Sequence, residues 1–182
     1  PFFDVADNLA SCWLARSEMD RDFLLLNGDT IFDTAVLTRV MNSAPTPITL
    51  SVSYKSIYDA DDMKVQLDGE GWVKQVNKNL NPDQIDCESI GLIFFRGHGP
   101  QLFRSAIEDA LRHPVQLKSW YFTVIDALAD KQLVSTCAVP EYLWCEIDFP
   151  EDLTRAEALF REIDRNPITE NTVISSSNAG SL

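Results

Sequence analysis

Hydrophobic positions recur along this chain with two different periods. Leu9, Cys12, Trp13 and Met19 fall at helical spacing, with Asp7 or Asn8 placed to cap the amino end. Phe23 to Asn27 is continuously apolar until Asn27, which predicts a strand buried on both faces. "DTAVLTRVMNS" predicts a helix that opens on Asp33 and closes before Pro45 and Pro47. In "PITLSVSYK" the apolar residues Ile48, Leu50, Val52 and Tyr54 alternate, as in a strand. Lys64–Leu67 and Trp72–Val76 read as the arms of a hairpin turning at Asp68-Gly69.

Beyond the hairpin, "ESIGLIFF" is a second continuous apolar run and predicts a buried strand. "HGPQLFRSAIEDALRH" gathers Leu102, Phe103, Ala106, Ile107, Ala110 and Leu111 on one helical face. A further helix follows, with Tyr121, Val124, Ile125 and Leu128 inward, then short strands in "LVSTCAVP" and "LWCEIDF". "PEDLTRAEALFREI" predicts a closing helix with Leu153, Ala156, Phe160 and Ile163 inward. Strands alternating with helices predict an α/β fold: a Rossmann-like mixed, mostly parallel sheet flanked by helices, with an inserted β-hairpin. Residues 1–165 read as one domain and 166–182 as a polar, flexible tail.

Composition narrows the function. The 182 residues are 45% hydrophobic and 24% charged, ordinary for a globular domain with a full core. No apolar run approaches the roughly 20 residues that cross a bilayer, so no membrane role is expected. Cys12, Cys87, Cys137 and Cys145 show no C-x-x-C pairing and read as buried free thiols, with a cytoplasmic location as the default. A net charge of -13 repels phosphate backbones and argues against a nucleic-acid partner. A small phosphorylated ligand stays open if a divalent cation mediates the contact.

The candidate chemistry sits where strands end. Ligands of such sheets gather at the carboxyl ends of strands, and two acids lie there, Asp29 and Asp148. Mg²⁺ takes one or two carboxylates, completed by phosphate oxygens and water. Gly28 beside Asp29 would let a phosphate approach the backbone. Each acid also has a structural reading. Gly28-Asp29 can be a plain turn, and Asp148 can cap the closing helix with Glu151 as its capping-box partner. Lys78 alone reads as a surface lysine. Trp144, Tyr142, Trp120 and Tyr121 are core aromatics or walls for a cation. Trp144 is favoured as a wall, lying two residues from Glu146 and four from Asp148 on an ideal strand.

"DFLLLNGDTIFD", "DADDMKVQLDGEGWVKQVNK", "ESIGLIFF" and "WCEIDFPEDLTRAEALF", in this order, resemble the nucleotidyltransferases of the sugar-phosphate and phosphocholine type. The phosphocholine cytidylyltransferase-like branch is closest, its Asn-x-x-Ser helix matching Asn8 and Ser11. The resemblance implies transfer of a nucleotidyl group from a nucleoside triphosphate, CTP favoured, to a small phosphomonoester such as phosphocholine, with release of pyrophosphate. It implies that Asp29 and Asp148 bind magnesium and that Lys78 neutralises the attacking phosphate. Glu88 and Gly91 would then line the acceptor pocket together with Asn8, Ser11, Gly28, Trp144 and Glu146.

The family's glycine-rich loop with its arginine, and the Pro-Lys that follows, have no counterpart among the seven glycines here. The expectation is therefore a chain truncated at the N-terminus, the carboxyl-terminal two-thirds of the family fold. Whether this chain is active by itself stays open. Phe23–Leu26 would then offer an unpaired apolar edge, through which the chain could associate or form a homo-oligomer. A non-catalytic ligand-binding or regulatory module and a sugar-1-phosphate nucleotidyltransferase are the alternative functions.

Overall fold

The computed structural model describes residues 4–165. Its elements are α1 (Asn8–Leu14), β1 (Phe23–Leu26), β2 (Thr30–Phe32), α2 (Thr34–Met41), β3 (Ile48–Ser53), β4 (Lys64–Leu67), β5 (Val73–Asn77), β6 (Cys87–Phe95), α3 (Gly99–Leu111), α4 (Phe122–Ala129), β7 (Val134–Ala138), β8 (Trp144–Glu146) and α5 (Asp152–Arg165). Asp7 and Asp33 cap α1 and α2, each carboxylate accepting a backbone N–H at 2.7 Å. Apolar periodicity therefore locates the helices and acids set where two of them start.

The main sheet has the order β5-β4-β6-β3-β7, with β1 also paired to β6. Central β6 runs antiparallel to β1, β3 and β4, whereas β7 is parallel to β3. Four strands (β1, β3, β4 and β7) thus share one direction, and β4–β5 is the inserted hairpin. Strands β2 and β8 form a separate antiparallel ribbon, anchored to the sheet where Thr30 Oγ1 donates to the Ile90 carbonyl at 3.2 Å. One face of the sheet (Ile48, Leu50, Val52, Ile93, Phe95) packs on α1, α3 and α4 through Leu9, Phe103, Ile107 and Ile125. The other face (Ile90, Leu92, Phe94) packs on α2 and β8 through Val36, Val40 and Trp144. All four cysteines are buried free thiols.

Three expectations need correction. β1 is not buried on both faces: Phe23 and Leu25 turn inward, but Leu24 and Leu26 are 37% and 44% exposed. The reason is position, since β1 pairs only with β6 among the described residues and lies beyond the reach of α2. β3 is buried along all six residues, its serines included, because β6 and β7 flank it on both sides. On α5, Ala156 and Leu159 face inward while Leu153 and Phe160 are exposed, because only a narrow stripe of the helix reaches Cys145 and Ile31. Ile163 and the tail 166–182 lie outside the described side chains and residues. Among the described residues no helix is long and apolar enough to cross a membrane.

Candidate active site

The site arises from a gap in strand pairing along β6. β1 pairs with Leu92–Phe95 of β6 and β4 with Cys87–Glu88, on the same side of that strand. Between them β6 has no neighbouring strand, only two single backbone bonds. Asn27 N–H donates to the Gly91 carbonyl at 2.9 Å, and Ser89 N–H to the Met63 carbonyl at 2.8 Å. Here the sheet opens into a cleft of about 420 Å³. The end of β1 supplies Asn27 and Asp29, and the loop before β4 supplies Asp61, Asp62 and Met63. Lys78 stands just past β5, Glu88, Ser89 and Gly91 lie on β6, and Trp120 and Phe122 mark the start of α4. Asn8, Glu146 at the end of β8, and Asp148 and Phe149 beyond it complete the wall.

The two acids at strand ends meet here. The ladder of the β2–β8 ribbon runs on by one bond, from Ile147 N–H to the Asp29 carbonyl at 3.0 Å, which sets Asp29 opposite Ile147, the residue before Asp148, and both acids line the cleft. Asp148 does not cap α5. The Asp152 carboxylate instead accepts the backbone N–H groups of Asp148 and Phe149, at 3.1 and 2.9 Å. That loop is thus held by its backbone, with the Asp148 side chain in the cleft wall.

Electrostatically the cleft is strongly negative. Its lining holds six acids (Asp29, Asp61, Asp62, Glu88, Glu146, Asp148) against Lys78. Lys55 offsets two of them from behind, with its ammonium 2.7 Å from Asp62 and 2.8 Å from Glu88. Burial pushes Glu88 up to about 7 despite the opposing pull of Lys55. Burial, then the charges of Asp148 and Asp29, push Glu146 up to about 7 as well. Hard oxygens crowded without matching positive charge are chemically suited to a divalent cation. Among the described residues no group of three or more Asp, Glu, His or Cys could hold an ion alone, so substrate oxygens or water would have to complete its shell.

A hydrogen-bonded frame holds the apolar side of the cleft. Asn8 Oδ1 accepts Tyr121 N–H at 2.8 Å, and the Tyr121 hydroxyl donates to Asn27 Oδ1 at 2.6 Å. Burial pushes the Tyr121 phenol upward, which keeps it a neutral donor. Asn27 in turn sits against Gly91, whose φ is +72°, and a Cβ there would meet Asn27 Nδ2 at 2.6 Å. Gly91 is therefore required by the backbone as well as lining the cleft. Neither a positive φ nor a close neighbour requires glycine at 28.

Of the residues singled out from sequence, Asn8, Asp29, Lys78, Glu88, Gly91, Glu146 and Asp148 come together in this cleft. Ser11, Gly28 and Trp144 are not in its lining. Ser11 is exposed one turn into α1, and Gly28 lies in the turn before Asp29. Trp144 does share the Glu146 side of β8, but two residues along a strand is about 6.6 Å, and that distance puts it in the core beside α2. Tyr142 is exposed away from the site, Tyr121 serves the frame, and Trp120 is the aromatic that reaches the wall. Asp61, Asp62 and Lys55 were missed. The acid run before β4 was a visible signal for the first two, whereas Lys55 carried none.

The mixed sheet that opens at this pairing gap is a fold shared with solved structures of nucleotidyltransferases. Among solved structures the chain is similar to the inositol-1-phosphate CTP transferase of T. maritima, at 21% identity and TM-score 0.69, over 88% of this chain and 63% of that one. It is also similar to the CTP:phosphocholine cytidylyltransferase of Streptococcus pneumoniae, at 13% identity and TM-score 0.61, over 87% and 66% of the two chains. A third likeness is to a Bacillus anthracis protein described as a glucose-1-phosphate thymidylyltransferase, crystallised with sucrose, at 12% identity and TM-score 0.67, over 87% and 63%. At these identities the likeness establishes the fold. The chain spans 63–66% of the length of these three proteins. No protein-family model and no curated protein matches the sequence.

Proposed function

We propose that this chain forms the catalytic and acceptor-binding part of a magnesium-dependent nucleotidyltransferase, with CTP as the favoured donor and phosphocholine or a similar small phosphomonoester as acceptor. The observation that carries the reading is the meeting of Asp29, Asp148 and Lys78, from three separate elements, in one cleft. An acceptor phosphate oxygen attacks the α-phosphorus of the triphosphate. The new P–O bond forms as the bond to the β-phosphate oxygen breaks, and pyrophosphate leaves with that electron pair.

Both reactants are anions, and bringing them together in line is the main task of the protein. Asp29 and Asp148 would hold magnesium, which when bound supplies positive charge at the phosphates. Lys78 binds the acceptor phosphate and lowers its repulsion from the donor. No side chain is needed as a nucleophile. The frame of Asn8, Tyr121, Asn27 and Gly91 fixes the wall against which the reactants are aligned. Lys55 offsets part of the charge of Asp62 and Glu88, leaving the remaining acids to attract a cationic head group.

Calorimetric titration with CTP and magnesium tests donor binding, and pyrophosphate release with phosphocholine tests the reaction. Asp29→Ala or Asp148→Ala should lower turnover by about 100-fold or more, as loss of transition-state charge stabilisation does elsewhere. Turnover unchanged in both variants removes the proposed metal site. A sugar-1-phosphate or inositol-phosphate acceptor is the second reading, favoured by the names of two of the similar structures. A panel of phosphomonoesters separates it from phosphocholine. Binding of both substrates without turnover in the complete protein would indicate a regulatory module.

A further inference from the structure

Asn27 follows β1 on the side that Phe23 and Leu25 turn inward, so a polar residue ends an apolar face. Its backbone N–H is tied to the Gly91 carbonyl at 2.9 Å, and its side-chain carbonyl accepts the Tyr121 hydroxyl at 2.6 Å. Tyr121 is firmly seated. It is 3% exposed, its ring stacks on Phe122 with centroids 4.5 Å apart, and its N–H is held by Asn8 Oδ1. Burial, and then the nearness of Cys12, Glu146 and Asp29, push the phenol upward, so the hydroxyl keeps its proton. With the carbonyl end of the Asn27 amide taken, its amino end remains. Nδ2 lies beside Gly91, has no acceptor among the described residues and is not sealed from solvent, in a residue that lines the cleft. The reverse orientation would turn a carbonyl oxygen toward six acids.

Resting on the transfer reading above, we propose that the Asn27 side-chain amide donates to a phosphate oxygen of the acceptor, and that Tyr121 is the positioning residue that keeps this donor facing the cleft. Ionised carboxylates only accept hydrogen bonds. A ligand hydroxyl finds acceptors anywhere on such a wall, whereas the oxygens of a phosphate dianion require donors. Lys78, its ammonium 4.3 Å from the centroid of the Trp120 ring, brings charge but no fixed direction. The amide brings direction. An amide free to rotate would present its oxygen as readily as its N–H groups, and the Tyr121 hydrogen bond removes the repelling orientation.

The reporter is the Asn27 side-chain NH₂ pair in NMR spectra of the isotopically labelled 182-residue chain, assigned by its loss in Asn27→Asp. Phosphocholine and inorganic phosphate, at fixed magnesium, should each shift this pair, and choline chloride should not. Asn27→Ala should weaken the binding of either phosphate by about tenfold to a hundredfold, the range of a hydrogen bond to a charged group. Tyr121→Phe should move the pair in the free protein and weaken binding by a smaller factor, about two to ten. It should weaken binding no further in the Asn27→Ala background. A thermal melt checks each variant, and the shift in the unsubstituted protein tests the donor without any of them. An Asn27 pair indifferent to both phosphates overturns the proposal. So does a Tyr121→Phe loss of equal size with and without the Asn27 amide, which would mean packing alone. Pyrophosphate release is scored separately: turnover with an indifferent pair sinks only this inference, and phosphate-dependent shifts without turnover in the complete protein sink only the transfer chemistry.

Discussion

Lys64 shows how a single residue sets the geometry of this cleft. It is 6% exposed, and its ammonium donates to the carbonyls of Ala60, Asp62 and Lys78 at 3.2, 3.2 and 3.0 Å. One tetrahedral donor therefore ties the loop of Asp61 and Asp62 to the end of β5. Lys64→Met should destabilise the fold by about 1–3 kcal/mol, the cost of stranding buried acceptors, and a denaturant titration measures it. Glu88 gives a pH dependence. Its folded carboxyl holds a proton up to about 7, mainly through burial, whereas an unfolded one releases it near the ordinary 4.5. The folded state thus binds more protons between those values, and this share of stability, complete below about 4.5, is lost as pH rises through about 7. The melting temperature should fall between pH 5 and pH 8, and Glu88→Gln should reduce that slope. At this scale the sequence exposed the acids that end strands, Asp29 and Asp148. It concealed Lys55 and Lys64, whose roles come from which carboxylates and carbonyls the folded chain brings to them.

Among the elements, β1 and β6 have similar apolar runs and opposite fates. β6 has strands on both sides and is buried throughout, while β1 leaves Leu24 and Leu26 in solvent beside an edge unpaired among the described residues. Unpaired N–H and C=O groups next to exposed leucines favour association through that edge. Leu26→Lys should shift the chain toward monomer in analytical ultracentrifugation with little change in melting temperature, because the side chain is 44% exposed and a lysine stem can cover the same surface. The position of every helix and of the β4–β5 hairpin was legible from periodicity, capping acids and the Asp68-Gly69 turn, where Asp68 Oδ1 accepts the N–H groups of Glu70 and Trp72. The β2 strand was not. Thr30–Phe32 is too short for any period to show, and it becomes a strand because β8 pairs with it.

At the scale of the whole molecule, crowded carboxylates and a net charge of -13 make cations a source of stability. Magnesium chloride at pH 7.5 should raise the melting temperature with a concentration dependence that follows binding to the folded state alone. Asp29→Ala and Asp148→Ala should flatten that dependence, and a rise of equal size in both variants would locate the effect elsewhere on the surface. The sequence by itself determined the class of the fold, the order of its elements other than β2 and the acids at two strand ends, because these follow from local periodicity and turn chemistry. Tertiary structure decided the rest. It stopped β1 short of β4 along β6, turned Trp144 inward and Trp120 to the cleft, and set Lys78 on an indole ring. Each of these depends on which distant segments share a neighbour, and a one-dimensional pattern carries no distances.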